Sequence, residues 1–120
     1  MSEARSFRDL IVWQKSMDLT KQIYLVTRSL PSEERFGIIS QMRRCAVSIP
    51  SNIAEGNKRS TAKDYAQFLK VASGSAAELE TQLLLVRDIY QMPAENLLIL
   101  LDEIQRMLQV LTKRLLQPKT

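Results

Sequence analysis

The apolar residues of this chain recur at steps of three and four, the spacing that places side chains on one face of an α-helix. Four segments carry this pattern, and prolines, glycines and capping residues separate them. The predicted helices span residues 9–29, 32–56, 61–90 and 93–116. Four long helices joined by short loops favour an all-α, antiparallel up-down-up-down four-helix bundle, and residues 1–120 are expected to form one domain.

Each predicted helix has apolar positions that are expected to face the core. The first helix has two adjacent lines, which are Leu10, Trp13, Met17 and Tyr24, and Val12, Leu19, Ile23, Val26 and Leu30. The second helix has Ile39, Met42, Ala46, Ile49 and Ile53. The third has Tyr65, Phe68, Ala72, Ser75, Leu79, Leu83, Val86 and Tyr90. The fourth has a heptad seam of Leu97, Leu101, Ile104, Leu108, Leu111 and Leu115. The small residues from 72 to 77 are expected to admit another helix at close range, and a locally weak helix is the alternative.

Proline and glycine mark the helix boundaries. Pro31 ends the first helix, and Ser32 is expected to cap the second. Pro50 lies inside the second helix, where the loss of one backbone donor predicts a kink and not two separate helices. Gly56 and Asn57 are expected to end that helix, because both residues tolerate the left-handed conformation of a C-terminal cap.

The charge balance adds a candidate binding surface. The chain has 17 lysines and arginines against 13 aspartates and glutamates, a net charge of +4, which permits an acidic partner such as nucleic acid without requiring one. The basic residues form three groups, namely Arg43 and Arg44, then Lys58, Arg59 and Lys63, and finally Lys113, Arg114 and Lys119. The second group lies on a predicted turn and is expected to contact phosphates with help from Arg43. A solvated basic loop is the alternative.

Residues able to carry catalysis are scarce. The chain has no histidine and one cysteine, Cys45, which excludes histidine-based triads, imidazole metal ligands and thiolate zinc sites. We therefore expect no metal, no cofactor and no enzymatic activity, and a carboxylate-based enzyme is a distant third hypothesis. The neighbouring arginines favour a lowered pKa for Cys45, but its position beside Ala46 favours a half-buried structural thiol. The aromatic residues on the inner lines are interpreted as core and not as a base-stacking platform.

The sequence also predicts a cytoplasmic protein that does not enter a membrane. The longest apolar run, LLILL at residues 97–101, is far shorter than the roughly 20 residues of a membrane span. The first residues, MSEARSFRDL, include acidic side chains and contain no apolar signal core.

Three segments resemble a known family. The segment QMRRCAVSIPSNIAEGNKRS, residues 41–60, resembles the signature of the large-subunit ribosomal RNA intervening-sequence proteins, which are four-helix bundles. FRDLIVWQKS near the start and ASGSAAELETQL at residues 72–83 are similar to the same family, whereas RDIYQM at the end of the third helix matches its pattern less well. The resemblance covers residues 7–116. It implies a homopentameric ring and kinship with the accessory proteins of diversity-generating retroelements, which bind nucleic acid and a reverse transcriptase.

The resemblance further implies a shared surface on the second and third helices. Its residues in this sequence are Arg44, Ser48, Pro50, Asn52, Glu55, Gly56, Ser75 and Glu78. Steps of four, three and four place Arg44, Ser48, Ser51 and Glu55 on one face of the second helix. At this stage the surface is either a subunit interface or a ligand site.

Two functions therefore compete. The leading hypothesis is a non-catalytic oligomeric adaptor that binds RNA or DNA through its phosphates, with a reverse transcriptase or another protein as a further partner. The alternative is a structural or protein-binding oligomeric scaffold that binds no nucleic acid. Apolar positions flanking the seam of the fourth helix exceed what one buried stripe needs, which predicts self-association.

Overall fold

The structure is a computed structural model that describes residues 6–118, and within this range it contains helices and no strand. Four long helices follow one another, α1 from Ile11 to Thr27, α2 from Ile38 to Asn57, α3 from Ala62 to Tyr90 and α4 from Glu95 to Leu115. Single 3-10 turns at Phe7–Asp9 and Ser32–Glu34 precede α1 and α2. The predicted all-helical fold with four helices is confirmed.

The four helices surround one apolar core. Each helix contacts the next along the chain, and α1 also contacts α4, so the helices close a ring around the core. The body measures 53 × 23 × 23 Å. Ile49 of α2 and Ile104 of α4 are completely buried, as are the other predicted residues of the α2 line except Ile39, which is nearly so. Burial of such side chains contributes about 1.5–3 kcal/mol each, which makes this core the main source of stability.

The start of α2 differs from the prediction. Ser32 does not cap a long helix; it opens a single 3-10 turn, in which the backbone amide of Arg35 donates to the carbonyl of Ser32 at 3.1 Å. The long helix begins at Ile38, directly after Gly37. Gly37 has φ −109° and ψ −116°, outside the helical region, so the 3-10 turn and α2 do not form one continuous helix. The fourth helix likewise begins at Glu95, two residues after Pro93.

Pro50 is accommodated inside α2 by a side chain of α1. The helix continues through Pro50 as predicted, although proline leaves the Ala46 carbonyl without its normal backbone donor. The Thr20 hydroxyl lies 3.0 Å from the Ala46 carbonyl oxygen and 2.8 Å from the Ser16 carbonyl oxygen, so its proton is shared between the two helices. The orphaned acceptor is thereby satisfied within the core.

Two polar residues of α1 lie in the core, where the apolar pattern predicted none. Ser16 and Thr27 are fully buried. Each hydroxyl donates to the carbonyl four residues earlier, Ser16 to Val12 and Thr27 to Ile23, both at 2.7 Å. Because these bonds are made within the same helix, the small side chains are compatible with burial.

The inner face of α3 is rotated relative to the predicted line in its first half. Leu69 and Ala76 are fully buried, whereas Phe68 and Ser75 are only half-buried. The buried set shifts because the apolar and small residues of this segment occupy more than one face, so their spacing does not define a single inner line. The prediction is correct from Leu79 to Val86, where the line is fully buried. On α1, Tyr24 is 41% exposed, so its assignment to the core is wrong.

Gly56 serves a purpose other than the predicted left-handed cap. No glycine among the described residues has a positive φ, and α2 ends at Asn57 with Lys58 in a right-handed conformation. A Cβ atom at position 56 would lie 2.8 Å from the Cβ of Phe68 and 3.1 Å from the carbonyl oxygen of Tyr65. Gly56 is therefore required by the close approach of α2 and α3. At Gly74, in contrast, a Cβ would meet no atom within 4 Å, so the helix expected to pack closely against it is absent from the described chain.

We predict that Thr20→Val destabilises the bundle by about 1–3 kcal/mol, because it leaves the Ala46 carbonyl buried without a donor. The same substitution in a Pro50→Ala background should cost less, since alanine restores the backbone donor. Urea unfolding of the four proteins of this double-mutant cycle measures the coupling. Equal costs of Thr20→Val in both backgrounds would show that the hydroxyl does not replace the missing amide.

The two glycines form a matched pair for a second prediction. Gly56→Ala should destabilise the protein by about 1–3 kcal/mol because backbone and Cβ atoms of α3 must move. Gly74→Ala should stabilise the chain by up to about 1 kcal/mol through helix propensity. Thermal melts followed by circular dichroism test both, and a Gly56→Ala variant as stable as the wild type would contradict the close approach.

Candidate functional site

The polar contacts between α2 and α3 bring together part of the surface implied by the resemblance. The hydroxyl oxygens of Ser48 and Ser75 lie 2.8 Å apart. The amide of Asn52 donates to the carbonyl oxygen of Ser48 at 2.8 Å and to its hydroxyl oxygen at 3.0 Å. The Ser48–Ser75 bond joins the middle of the two helices, and the bonds from Asn52 hold Ser48 within α2.

A polar cavity of about 530 Å³ opens beside this contact. Arg44 and Glu78 line it from opposite helices, and Ser48, Ser75 and the thiol of Cys45 also face it. Phe36, from the segment before α2, lies at its edge. With Ser40 also in its lining, the cavity offers a cation, an anion and three hydroxyls to a ligand or a partner chain.

The Cys45 thiol is unsuited to nucleophilic chemistry. The residue is 6% exposed. Burial, followed by a hydrogen bond to the Glu78 carboxylate and its negative charge, raises the pKa of Cys45 to about 11. The positive charge of Arg44 acts in the opposite direction and is a smaller effect. Arg44 therefore acts in the expected direction, but burial and Glu78 outweigh it, so the pKa of Cys45 is raised and not lowered. This supports the structural interpretation of the thiol.

The remaining members of the implied surface lie elsewhere on α2. Pro50 is buried and faces α1, where it lines an apolar groove with Trp13 and Met17. Glu55 is exposed and forms an ion pair of 2.8 Å with Arg59. Gly56 lies against α3. The eight residues therefore divide into a polar centre around Ser48 and Ser75, Pro50 on the side of α2 that faces α1, and Glu55 and Gly56 near the end of α2.

The turn between α2 and α3 carries the predicted basic group. Lys58, Arg59 and Lys63 are all exposed. Besides its ion pair with Glu55, the Arg59 guanidinium lies 4.6 Å from the centre of the Phe68 ring. No ion pair within residues 6–118 neutralises Lys58 or Lys63. Lys58 and Lys63 therefore provide most of the positive charge that is available to a partner at this turn.

Arg43 does not join the basic turn. It lies about 20 Å from Lys58 along α2, at a helix rise of about 1.5 Å per residue. Its guanidinium donates to the Thr27 hydroxyl at 3.0 Å and to the Tyr24 carbonyl at 3.3 Å, and covers the Tyr24 ring at 4.6 Å. Arg43 and the turn are therefore well separated within one chain, and the contribution of Arg43 to phosphate binding stays a prediction.

Phe36 is a candidate residue that the sequence pattern did not identify. Its side chain is 88% exposed, and the guanidinium of Arg35 lies 5.0 Å from its ring centre. The sequence contained one signal for its exposure, because Phe36 lies outside the apolar line of α2 that begins at Ile39. The prediction of a helix from residue 32 hid this signal, because it placed Phe36 inside regular structure.

The described residues contain neither a group of metal ligands nor a helix that could cross a membrane. Within residues 6–118 no three histidine, cysteine, aspartate or glutamate side chains are grouped in a way that would hold a metal ion. None of the helices in that range has the combination of length and hydropathy that crossing a bilayer requires.

Comparisons with known proteins agree with the sequence resemblance. A family model described as 23S rRNA-intervening sequence protein matches residues 8–113. A crystal structure of a protein with unknown function from the S23 ribosomal protein family of Bacteroides thetaiotaomicron is similar to this fold, with a TM-score of 0.77 and 24% sequence identity. The similarity covers 86% of this chain and 99% of that one. No curated protein matches the sequence.

The raised pKa of Cys45 predicts a loss of stability at alkaline pH. The thiol has an ordinary pKa of 9.0 and a folded pKa of about 11, so the unfolded state loses its proton first. The free energy of unfolding should therefore fall as the pH rises from 9 to 11. In a Cys45→Ala variant this part of the decline should be missing, as measured by urea unfolding at each pH. Identical pH profiles of the two proteins would refute the assignment.

Proposed function

This chain belongs to the 23S rRNA-intervening sequence protein family, and we propose that it is a non-catalytic, homo-oligomeric adaptor that binds nucleic acid through the phosphate backbone. The proposal places phosphate contacts at Lys58, Arg59 and Lys63. A reverse transcriptase or another protein is the proposed further partner, by analogy with the retroelement accessory proteins. The proposed location is the cytoplasm, where a lone cysteine stays reduced.

The observation that carries the proposal is the exposed basic turn. Lys58 and Lys63 lie outside the apolar core and have no carboxylate partner among the described ion pairs. Arg59 is already paired with Glu55, and Asp64 adds a negative charge in the first turn of α3. One turn therefore provides a weak site. Repetition of the turn by symmetry in an oligomer makes weak phosphate contacts act together through effective concentration.

Self-association is supported by apolar side chains on the outside of the bundle. Leu85 and Ile89 of α3 and Ile99 of α4 are each about half exposed or more. Gly74 also faces open space. Apolar surface of this kind marks contacts with other chains. The proposed assembly is the homopentameric ring that the family resemblance implies.

Within each subunit the proposed arrangement of the helices is antiparallel, up-down-up-down. Contacts between helix ends support it. Arg43, near the start of α2, contacts Thr27 at the end of α1, and Gly56, near the end of α2, lies against Phe68 near the start of α3.

The absence of histidine and the raised pKa of Cys45 favour binding over catalysis. A histidine-free chain lacks the side chain whose ordinary pKa best suits proton transfer near neutral pH. The alternative function is an oligomeric scaffold for a protein partner. It is favoured by the polar cavity at Arg44 and Glu78, which has no excess of positive charge.

The assembly has a direct test. Light scattering at micromolar concentration should give a mass of five times the 13.8 kDa of one chain. Leu85→Asp, Ile89→Asp and Ile99→Asp together should lower this mass, because charges placed in an apolar interface lose their hydration. A wild-type protein that stays at the mass of one chain would remove the oligomer and, with it, the cooperative phosphate contacts.

The phosphate site is tested by fluorescence anisotropy of labelled oligonucleotides across a salt series. Wild-type binding should weaken steeply with salt and depend little on sequence. Neutralising Lys58, Arg59 and Lys63 to glutamine should reduce the slope of log K against log salt by roughly two units. The oligomer should persist, because these side chains lie outside the core.

A matched control removes equal charge near the C-terminus, through Lys113→Gln, Arg114→Gln and Lys119→Gln. Lys119 lies outside the described residues. The control variant should show the same slope of log K against log salt as the wild type. Loss of slope in the control and not in the turn variant would move the site to the end of α4. Absence of binding by the wild type at low salt would favour the scaffold.

A further inference from the structure

A groove lined by arginines and aromatic rings runs beside the start of α2. This arginine–aromatic groove has a volume of about 450 Å³ and is lined by Tyr24, Arg35, Phe36, Arg43 and Arg44 over an apolar floor. It meets the polar cavity at Phe36 and Arg44, which line both. Neither the basic turn nor the apolar core accounts for it.

Both rings are accessible, and one of them is held in place. Phe36 is 88% exposed, more than any other large hydrophobic side chain among the described residues, and Tyr24 is 41% exposed. An arginine lies against each ring, Arg35 at 5.0 Å from Phe36 and Arg43 at 4.6 Å from Tyr24. Hydrogen bonds from Arg43 to Thr27 and Tyr24 anchor the second pair to α1. The groove is thus partly preorganised, which reduces the entropy that a ligand must remove on binding.

The charge of the groove favours an anion. Three of its lining side chains are arginines and none is acidic. The nearest acidic residues in sequence are Glu33 and Glu34, and the carboxylate of Glu34 accepts a hydrogen bond from the Tyr90 hydroxyl. Arg44 faces Glu78 across the adjoining cavity. The arginines therefore exceed the acids around the rings.

We infer that the arginine–aromatic groove binds an unpaired nucleobase together with its phosphate, so that the nucleic acid recognised is single-stranded. Flat rings and guanidinium planes are the groups on which unstacked bases pack in single-stranded complexes, and arginines supply the phosphate contacts. In a duplex the faces of the bases are stacked on their neighbours and out of reach. The inference rests on the proposed nucleic-acid binding and adds a base contact to it.

The test compares three labelled ligands of equal length by anisotropy, namely a single strand, the same strand with abasic sites, and a duplex. The single strand should bind the wild-type protein best. Phe36→Ala should weaken single-strand binding by roughly five- to a hundred-fold, the range for loss of one stacked base, and leave binding of the abasic strand unchanged. Phe36→Trp should restore it. RNA and DNA versions of the single strand distinguish the two sources of the base.

The control variant is Ile11→Ala, which removes an exposed apolar side chain at the first residue of α1, 13 residues before Tyr24 and outside the proposed oligomer interface. It should bind like the wild type. A strand carrying 2-aminopurine adds a direct reading, since stacking on Phe36 or Tyr24 should quench its fluorescence, and Phe36→Ala should restore the emission.

The outcomes separate this inference from the proposed function. If the wild type binds abasic and intact strands equally and Phe36→Ala has no effect, the base contact is wrong while phosphate binding stands. If no ligand binds at low salt, both are wrong. If Phe36→Ala lowers the mass of the oligomer in light scattering, the groove is a subunit interface and the inference is overturned.

Discussion

The structure of α2 depends on the hydrogen bond that the Thr20 hydroxyl of α1 donates to the Ala46 carbonyl. Pro50 cannot donate to that carbonyl, and an unsatisfied carbonyl in the core costs about 1–3 kcal/mol. Because the replacement donor belongs to α1, the continuity of α2 depends on α1 being in the correct register. Tertiary structure here completes a helix that its own backbone leaves incomplete.

The opposite side of α2 is held by a different kind of contact. The hydroxyls of Ser48 and Ser75 join α2 to α3 close to the level of Pro50, and Asn52 completes the group. About two helical turns after Ser48, the helices approach so closely near Gly56 that no side chain fits between them. Thr20 on one side and Ser75 on the other thereby fix α2, whose two ends carry the candidate contacts for nucleic acid.

The sequence predicted those features that depend on local spacing. The apolar lines of α2 and α4 and the start of α3 near residue 61 follow from local spacing and capping chemistry. In the structure the Thr61 hydroxyl accepts a hydrogen bond from the Asp64 amide at 3.1 Å. Features that depend on contacts with a second helix were not predicted from the sequence. Gly56 was interpreted through its backbone freedom, whereas its role is set by Phe68. The thiol of Cys45 was judged by its neighbours in sequence, whereas burial and Glu78 from α3 decide its pKa.

The candidate site was the least predictable part, because exposure cannot be derived from residue type alone. Tyr24 falls on an apolar line, yet Arg43 covers one part of its ring and leaves the rest accessible. Arg43 was expected to reach phosphates directly, but its hydrogen bonds to α1 suit it better to positioning an aromatic ring.

These contacts give the two ends of α2 different roles in the proposed function. In the proposed function, the lysines at its end would provide charge with little geometry, which would give affinity without selectivity. The rings at its start would add geometry to the charge of the three arginines around them. In a symmetric assembly each subunit would present the basic turn and the arginine–aromatic groove. A strand that contacts both in several subunits would need unpaired bases at the spacing of the subunits. Selection of a strand would then depend on its secondary structure, even though no side chain reads the edge of a base.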